Sequence, residues 1–137
     1  MSLDLYAELP KVKLGEIECY CTPYNIGDVS EWSRNGAIHL GNITHNLCDM
    51  AHHVKVTDEL SLYDLLWHSE EHFAGNLDEL RPLWIKGFEI AKQKPELKKY
   101  NSSNGYGTYE GFIGFLERVI ANSEPLVGIG VKCESDR

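Results

Sequence analysis

The chain has 137 residues and a formal net charge of −8; 42% of its residues are hydrophobic and 25% are charged. That length and balance suit one globular domain over residues 1–137, with an ordinary core, and exclude a disordered tail or a fibrous repeat. The negative balance, with no basic run longer than Lys98–Lys99, argues against nucleic acid and against an anionic membrane surface as partners.

In chain order, Leu3, Leu5, Ala7 and Leu9 alternate with Asp4, Tyr6 and Glu8, which predicts a half-buried strand ending at Pro10. Residues 16–22 form a second strand candidate, rich in β-formers and closed by Pro23. Residues 24–36 carry Asn25, Gly27, Asp28, Asn35 and Gly36 and read as a loop with one short turn around Trp32. A third, short strand is expected over residues 37–43.

Thr44 then suits a helix N-cap, and Leu47, Met50, Ala51 and Val54 fall on one helical face. Thr57, Asp58 and Ser61 offer the next cap. Leu62, Leu65, Leu66, Ser69 and Phe73 make a second stripe, stopped by Gly75. Asn76 and Glu79 resemble a capping box, but Pro82 predicts that the third helix starts near Arg81 and buries Trp84, Phe88 and Ala91. Residues 101–107 are a loop by composition. Thr108 caps a last helix whose face is Tyr109, Phe112, Ile113, Leu116, Val119 and Ile120. Pro125 stops it, and residues 126–133 read as a final strand. The class is therefore α+β: a mainly helical domain of about four helical segments packed on a small sheet made by the N-terminal strands and the C-terminal strand.

Four cysteines occur, and Cys19 and Cys21 lack the two-residue spacer of a zinc knuckle. With no apparent signal peptide and no run of apolar residues long enough to span a bilayer, a cytoplasmic protein with reduced thiols is expected.

Three constellations carry candidate chemistry. Asn42, Thr44, His45 and Asn46 stand where a strand meets a helix start, and His45 is a candidate general base or metal ligand. His68, Glu71 and His72 match the inverted zincin spacing: two histidines four apart on a helix can share a divalent metal such as zinc, with Glu71 activating water. The ordinary alternative is a solvated helix end. The third is the Gly-rich run Asn104-Gly105-Tyr106-Gly107, with Tyr106 and Tyr109 able to line a pocket. It is neither a Walker loop nor a dinucleotide fingerprint.

Two of these segments, Asn42-Ile43-Thr44-His45-Asn46 and Asn104-Gly105-Tyr106-Gly107-Thr108-Tyr109, resemble paired elements in small hypothetical proteins of bacteria and their phages. The resemblance covers residues 36–122 and implies that the two elements belong to one site or one structural knot, without implying an activity. The leading expectation is a non-enzymatic binding or accessory protein with a pocket where residues 42–46 meet residues 106–109, requiring no cofactor and taking a small molecule or a protein. The alternatives are a metal-dependent hydrolase using His45 or the His68, Glu71 and His72 set, and a structural subunit acting through a homo-oligomer interface.

Overall fold

The alternation at the N-terminus does build a strand. In a computed structural model that describes residues 2–14, 17–20, 33–34 and 37–137, β1 spans Ser2–Glu8, with Leu3, Leu5 and Ala7 buried between partly exposed neighbours. A hairpin follows, β2 (Lys11–Leu14) against β3 (Ile17–Tyr20). The sequence reading anticipated β3 and missed β2. Of the expected 24–36 loop, the described part is β4 (Ser33–Arg34), a two-residue strand paired with β5 (Ala37–Thr44). The rest of that loop, including the turn expected at Trp32, lies outside the described residues.

β1 is flanked by β5 on one side and by β6 (Lys132–Asp136) on the other, both antiparallel, so the sheet order is β4-β5-β1-β6. Residues from both ends of the chain thus share one sheet, as expected. The final strand, however, starts later than residue 126. A 3-10 turn (Glu124–Leu126) and positive φ values at Gly128 and Gly130 carry the chain round before it enters the sheet.

Among the described residues, four α-helices follow the expected order: α1 (Cys48–His52), α2 (Leu62–Trp67), α3 (Leu77–Lys92) and α4 (Tyr109–Ser123). The α4 stripe is core as expected: Phe112, Leu116 and Val119 are fully buried, together with Phe115. α4 crosses β5 at a bulge, where the register against β1 slips between Leu5 and Tyr6 and both Leu40 and Gly41 turn inward. Glycine is needed there, because a Cβ on residue 41 would stand 2.9 Å from Phe115 Cε2 and 3.1 Å from Val119 Cγ2.

Two helical expectations are corrected. α3 starts at Leu77, not near Arg81. Asn76 Oδ1 caps it by accepting from the Asp78 N–H at 2.8 Å, and burial of Leu77 and Leu80 outweighs the ~3 kcal/mol cost of an interior proline at Pro82. α2 ends at Trp67, so its stripe does not reach Phe73, which is 43% exposed. Phe73, Ala74 and Gly75 all have positive φ, a left-handed turn that costs about 1–2 kcal/mol at each non-glycine residue. A β-bridge between Asn76 and Lys132 pins that turn to the start of β6. No helix among the described residues is long and apolar enough to cross a membrane.

Candidate functional site

Thr44 ends β5 in extended conformation, and its hydroxyl accepts from the Asn46 N–H at 3.3 Å. It caps a 3-10 turn (His45–Leu47) rather than an α-helix, and α1 begins only after that turn. The turn meets the glycine-rich loop directly. Asn46 Nδ2 donates to the Tyr106 carbonyl at 3.0 Å. Gly107, at φ +124°, sits so close that a Cβ there would stand 3.0 Å from Leu47 Cγ and 3.1 Å from Thr44 Cγ2.

The loop is closed by its own hydrogen bonds. Ser102 N–H donates to the Gly107 carbonyl at 2.9 Å and Gly105 N–H to the Ser102 carbonyl at 3.2 Å. Asn104 Oδ1 accepts from the Tyr106 N–H at 2.9 Å and from the Ser102 hydroxyl. Asn101 Oδ1 receives the Tyr109 N–H at 2.8 Å, and Thr108 caps α4 by accepting from the Gly111 N–H at 3.0 Å. Within this frame the Tyr106 side chain is 74% exposed.

His45 is engaged elsewhere. The Trp67 indole N–H donates to His45 Nδ1 at 2.9 Å, so in the neutral ring the proton sits on Nε2. Trp67 stacks on Tyr63 with ring centroids 5.6 Å apart, and Tyr63 stacks on His52 at 3.8 Å. The Tyr63 hydroxyl lies 3.2 Å from His68 Nε2, and Glu71 lies 2.5 Å from His68 Nδ1. That last approach is close without the alignment of a hydrogen bond, since His68 Nδ1 is buried with no hydrogen-bond partner. Two constellations that look independent in the sequence, His45 and His68 with Glu71, are therefore joined through Trp67 and Tyr63. Glu71, His68 and Tyr63 thus form a cluster of a carboxylate, an imidazole and a phenol, with a hydrogen bond only between His68 Nε2 and the Tyr63 hydroxyl.

The remaining candidates separate. Asn42 lies on the sheet face turned away from the helices, donating to Asp4 Oδ1 at 2.8 Å and Ser2 Oγ at 3.1 Å; His39 Nε2 meets the same Asp4 oxygen at 2.9 Å. The Tyr109 ring is buried and its hydroxyl donates to the Ala91 carbonyl at 2.6 Å, tying α4 to α3. His45, Tyr106 and Tyr109 do not line one pocket. Ser69–Glu71 forms a 3-10 turn and His72 is extended, so His68 and His72 share no helical face. Among the described residues no group of three His, Cys, Asp or Glu side chains could hold a metal ion.

Sequence reasoning missed Tyr63 and Trp67. Their spacing of four on one helix face was the available signal. Of the described thiols, burial pushes Cys133 up to about 12, and burial together with the Asp49 charge raises Cys48, which keeps both protonated. Among the described residues, one open hollow of about 370 Å³ lies beside His39–Asn42, Arg118 and Asn122, and another of about 390 Å³ beside Lys92, Tyr109 and Glu117. Neither includes His45 or Tyr106. Compared with protein-family models, with curated proteins and with solved structures, the chain matches none.

Proposed function

We propose that this chain is a small, non-catalytic binding protein that docks a protein partner through Tyr106, presented on the ledge formed by Thr44, Asn46 and Leu47. One observation carries the reading: the backbone on both sides of Tyr106 is fixed by hydrogen bonds, yet the residue is 74% exposed. Ordering each backbone residue costs about 1–2 kcal/mol. Here that ordering buries little of the loop's largest side chain. Its consequence is a pre-positioned phenol, and a rigid tyrosine supplies amphipathic contact area at low entropic cost on binding.

The partner that fits is a protein surface with an apolar slot and a hydrogen-bond group at its end for the phenol. The net charge of −8 disfavours nucleic acid and anionic lipid in that role. An accessory protein working in the cytoplasm of a bacterium or in a phage-infected cell accords with the paired motifs. The test is capture from bacterial extract on immobilised parent, Tyr106→Phe and Tyr106→Ala proteins with matched melting temperatures. A specific protein retained by the parent, weakened by Phe and lost with Ala supports the proposal. Identical retention on all three rules it out, and self-association lost with Ala assigns Tyr106 to a homo-oligomer interface instead.

A further inference from the structure

The Asn104–Gly105 pair lies in the exposed loop, and Gly105 carries no side chain to shield its peptide nitrogen; the space around a Cβ there would be open to 4 Å. In an Asn-Gly pair the following backbone nitrogen can attack the side-chain carbonyl carbon. A C–N bond forms, the amide leaves as ammonia, and the resulting five-membered imide is opened by water to aspartate or isoaspartate. No oxidant or cofactor enters the balance.

We infer that the 101–107 loop promotes this reaction at Asn104, making it a self-modification site. Two contacts point that way. The bond from the Tyr106 N–H to Asn104 Oδ1 at 2.9 Å folds the side-chain carbonyl back along the turn that contains the Gly105 peptide. The Tyr106 N–H and the Ser102 hydroxyl both donate to Oδ1, the atom that becomes an oxyanion when nitrogen adds to the carbonyl carbon. The Gly105 N–H donates to the Ser102 carbonyl at 3.2 Å, a bond that must open before the nitrogen attacks. Conversion places a carboxylate two residues from Tyr106, and the isoaspartyl product adds a backbone carbon at that point.

The folded protein and a synthetic peptide of residues 99–109 are incubated side by side at mildly alkaline pH. Asn104 is followed by peptide mapping and isoaspartate detection; mapping separates it from Asn35–Gly36, the other Asn-Gly pair in the chain. The inference expects conversion at Asn104 to be roughly tenfold faster in the folded protein than in the peptide. That is below the ~100-fold that one oxyanion donor supplies in a water-excluded site, because this loop is solvated. Ser102→Ala should slow the folded protein severalfold and leave the peptide rate unchanged. Slower conversion in the folded protein than in the peptide, or no effect of Ser102→Ala on the folded rate, overturns it.

Discussion

Two alanine substitutions two residues apart test how the 101–107 loop is seated. Gly105 and Gly107 both have positive φ, +80° and +124°, so alanine is strained at each. At Gly105 nothing lies within 4 Å of the new Cβ, and left-handed strain alone predicts a loss of about 1–2 kcal/mol. At Gly107 the same methyl meets Leu47 at 3.0 Å and Thr44 at 3.1 Å, against a Leu47 that is itself only 1% exposed. Backbone strain of ~1–3 kcal/mol and overpacking of ~1–3 kcal/mol then add, to about 2–6 kcal/mol. Urea unfolding with an unchanged m-value reads the difference between the two variants directly. Equal losses would mean that the loop does not rest on Thr44 and Leu47, and the ledge that positions Tyr106 would fall with it.

Phe112→Ala should cost ~3–5 kcal/mol in a denaturant melt, since Phe112 is fully buried at the centre of α4. Glu70 should make stability acid-sensitive. Burial is the largest single influence on its carboxyl and raises it, but the Arg137 guanidinium and the backbone N–H groups of Glu70 and Ser135 together hold it below its ordinary value. A folded value below the unfolded one stabilises the protein above the ordinary carboxylate range, and that contribution is lost as pH falls through the folded value. Glu70→Gln should therefore flatten the acid limb of a melting-temperature profile, and an unchanged limb would refute the hold of Arg137 and the Ser135 N–H on the Glu70 carboxylate. With a net charge of −8, the protein should not retard a generic DNA duplex at about 0.15 M salt. Salt-sensitive retardation at micromolar protein would contradict that.

Elements with one buried face were the legible ones. The period of two over Leu3–Leu9 and the stripe through Phe112 and Leu116 each have one period and one partner surface, so pattern alone places them. Where local penalty and tertiary gain compete, pattern misleads. Pro82 reads as a helix break, but the Asn76 cap and two buried leucines prevail. Phe73 fits the α2 stripe by counting, while the backbone there turns left-handed. The site was half legible. Composition marked the loop, and its meeting with residues 42–46 is made by the Asn46–Tyr106 bond across 60 residues. The Trp67–His45 bond spans 22 residues with no local spacing to announce it. Tyr109 illustrates the converse: placed beside Tyr106 in sequence, it belongs to the core because a helix start turns its ring inward.

The claim that matters most is that the fold presents Tyr106 for contact and does not use its ring for stability. Paired thermal melts and partner capture with Tyr106→Ala test this directly. The account predicts a melting temperature within about a degree of the parent, as for an exposed substitution outside the core, together with loss of the protein that the parent retains. A large drop in melting temperature, or undiminished retention, would contradict it.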